Sequence, residues 1–146
     1  MTDFSLRVQW LMQHQNAKEK AQEAANHLQE VQARLTKVTP SMSGMPSTSS
    51  CKDKMSEGIS QLSSARLRLE NASREAEKKK RLVYSCIMKS GLKEQDARML
   101  VLMYIDGATQ NQAADIIGKS SAGGTYIHRR AVAALKMPPG WHEQLQ

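Results

Sequence analysis

From Trp10 onward, apolar and small residues recur at alternating steps of four and three: Trp10, His14, Ala17, Ala21, Ala24, Leu28, Val31, Leu35 and Val38. The residues between them are Gln, Glu, Lys, Asn and Arg, as a solvated face requires. No Gly or Pro interrupts Phe4 to Val38. The pattern predicts one helix roughly 50 Å long at ~1.5 Å per residue. A single apolar stripe cannot hold such a helix alone, so it needs a partner.

The rhythm resumes after Lys54 with Met55, Ile59, Leu62, Arg66, Leu69, Ala72, Ala76, Val83 and Ile87, slipping at Arg66 and at Lys79-Lys80. Between the two periodic stretches, Thr39 to Ser50 carries two prolines, a glycine and a run of hydroxyl residues, which predicts a loop over residues 39–51. Two helices of equal length joined by one loop fold back most simply as a long antiparallel, coiled-coil-like hairpin over residues 4–90. Its alanine-rich seam buries little area, so a second hairpin is expected alongside, making a homodimer.

Near Gly91 the period shortens and the apolar fraction rises. Three short helices are predicted within 91–137: Lys93 to Ile105, Gln110 to Ile117 and Ser121 to Lys136. Asp106-Gly107 and Gly118-Lys119-Ser120 mark the breaks, and Thr109 and Ser120 serve as N-caps. Met137-Pro138-Pro139-Gly140 stops the last helix, leaving a tail over 138–146 with Trp141 as its aromatic anchor. The fold class is therefore all-α: a helical hairpin followed by a small three-helix domain.

That domain carries the candidate chemistry. Ala114 sits where two helices would cross closely, Gly118 permits a sharp turn, and Ile127 returns an aliphatic to the core. This is the spacing of a helix-turn-helix, whose second helix enters the major groove of double-stranded DNA. At 100° per residue, Ile127, Ala131, Ala134 and Leu135 share one side of that helix, with His128 at its edge. Ala122, Thr125, Tyr126, Arg129 and Ala133 point the other way, flanked by Ser121 and Arg130. Arg129 suits guanine or a phosphate, and Thr125 and Ala122 suit a thymine methyl. Lys119, Arg130 and Lys136 are placed for phosphates. Thr109, Gln110 and Ser120, at the starts of the two helices, complete the DNA-facing set. The plain alternative is that the two helices form only a packing unit.

The stretch Met103-Tyr104-Ile105-Asp106-Gly107-Ala108-Thr109, the Ala114/Gly118/Ser120 spacing, and then Ile127-His128, Ala131-Val132 and Leu135 resemble region four of sigma factors. That region recognises the promoter −35 element. The wider layout is similar to small phage and prophage proteins of Gram-positive bacteria, the ArpU-like and RinA-like late-gene regulators. In those, a loop like Ser43-Gly44-Met45-Pro46 joins two hairpin helices. The resemblance implies base reading at Ser121, Ala122, Thr125 and Tyr126, and contact with host RNA polymerase. The chain departs from the pattern at Gly124, where relatives place a branched aliphatic, and Gly123 precedes it. Two helical glycines cost roughly 1 kcal/mol each relative to alanine. The expectation is a helix that frays there until DNA orders it, or one that begins near Thr125. Ser121 and Ala122 also stand where Arg or Glu is usual, which weakens sequence-selective reading.

Composition trims the alternatives. Only 6 of 146 residues are aromatic, Gly and Pro together number 12, and Met contributes 9. That is too few turn residues for a many-stranded β-protein. No apolar run approaches the ~20 residues of a membrane helix, and the opening residues lack the order of a secretory signal, so a cytoplasmic protein of a bacterial host is expected. Cys51 and Cys86 stand far apart, and His14, His27, His128 and His142 show no ligand spacing, so no metal or other cofactor is expected. Without a carboxylate pair, a Ser/His/Asp set or a phosphate loop, an enzyme is disfavoured.

The net charge of +7 is uneven, for residues 41–90 hold ten basic and five acidic side chains. Lys78-Lys79-Lys80-Arg81 reads either as the solvated end of a long helix or as a clamp on the DNA backbone. A DNA-binding transcriptional regulator of phage or prophage origin fits best. Two alternatives stand beside it: a DNA-packaging protein of the small-terminase type, and a structural coiled-coil adaptor.

Overall fold

A computed structural model describes residues 2–38 and 49–145 of the chain. It is all-helical, with no strand among the described residues. The helices are α1 (Asp3–Leu11), α2 (Gln13–Val38), α3 (Ser49–Lys89), α4 (Glu94–Tyr104), α5 (Gln110–Ile117) and α6 (Ser121–Ala134), followed by a 3-10 turn at Trp141–Gln144. None is long and apolar enough to cross a membrane. The loop expected over 39–51, with its Ser43-Gly44-Met45-Pro46 motif, lies mostly outside the described residues. Its last three positions are helical, because α3 begins at Ser49.

The first predicted helix is divided at Met12, whose ψ of −7° departs from the helical value near −42°. Hydrogen bonds from Met12 N to Val8 O and from Asn16 N to Met12 O close the ladder on either side. No Gly or Pro marks the break, so the apolar rhythm reads straight through it.

Two compact units divide the chain: residues 18–75, and residues 1–17 together with 76–146. In the unit of residues 18–75, Ala24, Val31 and Ala65 are buried, and Leu28, Leu35, Leu62 and Leu69 are half-buried. Gly58 lies against the Leu35 side chain, and a groove nearer the start of α2 is lined by His27 and Val31 with Gln61 and Ser64. The pairings run in opposite order along the two segments. The stripe on α3 is Gly58, Leu62, Ala65, Leu69, Ala72 and Ala76, while Met55, Ile59 and Arg66, expected on the seam, are exposed. The apparent slip at Arg66 is thus no slip. A glycine and an alanine keep an unbroken three–four repeat where larger neighbours distract from it.

The second unit is built around α6. Trp10 and Leu11 from α1, Val83 and Ile87 from α3, Leu100 and Tyr104 from α4, and Ala131, Val132 and Leu135 form one core with Trp141. Met99, Ala113 and Ile127 form a smaller cluster beside it. Polar side chains fasten the pieces together. Gln15 Nε2 donates to the carbonyls of Tyr104 and Ile105 at 3.1 Å each, closing the end of α4. Trp10 Nε1 donates to Gln144 Oε1 at 2.9 Å. Arg7 Nη1 reaches the carbonyls of Val132, Ala133 and Leu135 at 3.2, 3.3 and 2.7 Å. A cation there meets the partial negative charge and the orphan carbonyls of the C-terminus of α6.

Replacing Arg7 with Ala removes charge-assisted hydrogen bonds from that terminus, and is expected to lower unfolding stability by about 1–3 kcal/mol. Urea denaturation reads this directly, and Arg7→Lys, which keeps the charge but not the planar fork, should fall between the two. An Ala variant as stable as the parent would show that α1 does not secure α6.

Candidate nucleic-acid interface

Helix α5 starts on a complete capping box. Thr109 Oγ1 accepts from Gln112 N at 3.2 Å, and Gln112 Oε1 accepts from Thr109 N at 3.0 Å. At its other end Gly118 adopts φ +84°, a left-handed conformation open to glycine, and Lys119 N donates back to Ala114 O at 2.8 Å. Two residues later Ser120 caps α6, accepting from Gly123 N at 3.1 Å. Both helices therefore begin where local chemistry dictates.

Across the paired glycines α6 is continuous, running from Ser121 to Ala134. Gly124 is buried, and a Cβ placed on it would lie 2.7 Å from Ala114 Cβ and 3.7 Å from Met99 Cε. The branched aliphatic expected at this position is excluded because α5 and α6 meet too closely to admit it. Ser121 Oγ donates to Asn111 Oδ1 at 3.0 Å, and Gln110 Nε2 donates to Thr125 Oγ1 at 2.8 Å. The two helices are thus tied on both sides of the crossing.

Burial sorts the expected DNA-facing residues. Thr109, Lys119, Ser120, Ser121, Ala122, Tyr126, Arg129 and Lys136 are exposed, while Gln110, Thr125 and Arg130 are half-buried. Tyr126 stands out at 64% exposure. Among the described residues no carboxylate lies within ion-pairing distance of Lys119 or Arg129. On the inner side Ile127, Ala131 and Leu135 are buried as the helical wheel requires, but Ala134 is exposed and Val132 is fully buried. The wheel misses Val132 because α1 covers a second flank of α6, with the Phe4 ring edge-on to His128 at 5.7 Å.

Arg130 is a scaffold residue. Asp96, only 3% exposed, receives its Nε at 3.1 Å and its Nη2 at 2.5 Å. A buried carboxylate needs such a partner, and the planar fork supplies it in bidentate form. The guanidinium also sits 5.3 Å from the centre of the Tyr126 ring. The guanidinium expected at a phosphate is thus bonded to Asp96 on α4. Sequence reasoning misses Asp96 because nothing local marks a partner 34 residues away.

Lys78, Lys80 and Arg81 are exposed, whereas Lys79 is half-buried and Arg81 Nε lies 3.7 Å from Glu77. At 100° per residue, four successive cations are spread around α3 and do not line one face.

No family model, no curated protein and no solved structure matches the chain, so its function has to be read from its own residues.

Behind the exposed face, His128 Nε2 and Tyr104 Oη are 2.6 Å apart, both buried. Burial, with Arg129 adding to it, holds the imidazole below its ordinary value, and burial raises the phenol. A neutral phenol donating to an unprotonated Nε2 satisfies both, which places the imidazole proton on Nδ1.

Two outcomes follow from this packing. Gly124→Ala should destabilise the fold by about 1–3 kcal/mol in urea, despite the better helix propensity of Ala, and Gly124→Val by more; an unchanged or stabilised Ala variant would refute the close approach. His128 binds its proton more readily unfolded, so its contribution is present above the unfolded value near ~6.5 and is lost as pH falls below it. The melting temperature should drop from pH 7 to 5, and the drop should shrink in His128→Phe. An identical pH profile in that variant would remove the assignment.

Proposed function

We propose that the chain is a DNA-binding protein whose α5–α6 pair acts as a helix-turn-helix, with α6 as the recognition helix in the major groove. The observation that carries this reading is the outer face of α6. Ser121, Ala122, Tyr126 and the unpaired Arg129 stand exposed there, with Lys119 beside them on a twice-capped, closely packed support. A recognition helix needs such a division. Arg129 and Lys119 have no ion-pair partner among the described residues, whereas Ser121 also ties α6 to Asn111 and Tyr126 lies against Arg130, which fixes the rotation of the helix. Arg129 takes a guanine edge or a phosphate, Lys119 takes a phosphate, and Tyr126 offers a ring and a hydroxyl to the groove wall.

The resemblance to sigma region four and to ArpU-like and RinA-like proteins extends the proposal to a transcriptional regulator of phage or prophage origin that meets host RNA polymerase. The finer architecture belongs to the same proposal: a helical hairpin carrying this three-helix end.

In the test, Lys119→Ala combined with Arg129→Ala is compared with the parent for retention of duplex DNA across a salt series. Weaker retention at low salt is expected, with the slope of log affinity against log salt shallower by about 0.9 for each phosphate that is no longer neutralised. Circular dichroism should match the parent, since neither side chain is tied into the fold. Unchanged retention would end the DNA-binding reading. Selection from random duplexes at fixed salt then separates roles: an enriched motif supports a regulator, and binding without one favours DNA packaging.

A further inference from the structure

The alanine stripes of α2 and α3, which the sequence pattern pairs seam on seam within one chain, are buried at Ala17, Ala24, Val31, Ala65 and Ala76. Apolar surface is left open elsewhere, on the unit that holds α4 and α6. Tyr84 and Met88, one helical turn apart on α3, are each 47% exposed. Beside them runs an open groove of about 570 Å³, whose lining includes Leu92, Ala97, Val101 and Leu102. Tyr84 and Met88 themselves line it, together with Ile87, Gly91, Glu94, Arg98 and Asp106. None of the lining residues lies on α5 or α6.

We propose that this groove is the homodimer interface, occupied by the same groove of a second copy. The patch carries both halves of a self-complementary fit. Tyr84 and Met88 form an exposed apolar wall of the trough between α3 and α4, and a two-fold axis sets that wall in each copy against the trough of the other. The charges fit the same operator. The lining holds one cation, Arg98, between acids at 94 and 106, so a two-fold places Arg98 of each copy against an acid of the other. A partner of one charge sign would leave either Arg98 or the two acids facing like charge. A small ligand would want enclosure and convergent polar groups, whereas this trough is open and mainly apolar. The dimer also leaves the outer face of α6 free in both copies. The inference does not rest on the DNA-binding proposal and does not need it.

Light scattering on the full chain over a concentration series tests the interface without DNA. The parent is expected to be a dimer, and Tyr84→Glu with Met88→Glu a folded monomer at the same concentration. Arg98→Glu should weaken association at least tenfold, and adding Glu94→Arg should recover part of that loss. Circular dichroism and melting at low protein concentration report whether each variant folds; Tyr84→Ser with Met88→Ser replaces the pair if the charged variant does not. A parent that stays monomeric, a dimer insensitive to these changes, or a ring of eight or more copies would each overturn the proposal.

Discussion

Helices α5 and α6 approach until Ala114 meets the bare backbone of Gly124, and the rest of the C-terminal unit is arranged around that meeting point. With Gly124 against α5, the positions three and seven residues on, Ile127 and Ala131, fall into the core. Ser121, Ala122, Tyr126 and Arg129 are then turned outward. A glycine inside a helix is locally unfavourable by about 1 kcal/mol. The Ser120 cap on the same turn contributes about as much in the other direction. The position is poor for an isolated helix and well suited to a helix pressed against a neighbour.

Rotation fixed at one point still leaves a helix free to pivot, and α6 is held at its far end by parts of the chain remote in sequence. Arg7 closes its C-terminal carbonyls, and the amide of Lys136 is held by Ser90 Oγ at 2.9 Å. Between these anchors the neighbouring cations Arg129 and Arg130 have opposite fates. Arg130 neutralises a carboxylate that burial would otherwise make costly, and it braces the Tyr126 ring. Arg129 is exposed and has no ion-pair partner among the described residues. At this pair of neighbours a supporting cation and an exposed one stand side by side.

What could be read in advance follows from the range of each interaction. The limits of α5 and the start of α6 were legible because capping boxes, N-cap serines and left-handed glycines act within four residues. The three–four stripe of α2 was legible for the same reason, being a property of one helix. The stripe of α3 was partly hidden, since Gly58 and Ala65 contribute shape without hydrophobic signal, and Met55 and Ile59 attract the eye although they face outward. Illegible altogether were Arg7 on α6, Asp96 with Arg130, and the capture of residues 1–17 by the C-terminal unit. Each joins positions whose pairing exists only in the folded chain. Gly124 shows the hazard of local reasoning most plainly, for its cost is local and its reason lies ten residues away.

Charge is where the folded arrangement changes the functional argument most. A net +7 invites a reading as a nucleic-acid signature, yet the densest cations, Lys78 to Arg81, wrap around α3, and Lys79 is half-buried in register with its apolar stripe. Spread over about 300° of helix surface, they do not line one face of α3. The α5–α6 surface is less charged but better ordered, with Lys119 and Arg129 unpaired and Lys136 exposed at the end of α6. Two or three neutralised phosphates imply a mild dependence on salt, with a slope of about −1.8 to −2.7 per chain. Affinity built on so few charges must come largely from fit in the groove, or from two recognition helices acting together. Geometry therefore matters more than net charge for the DNA-binding proposal, and association of two chains would matter more than either.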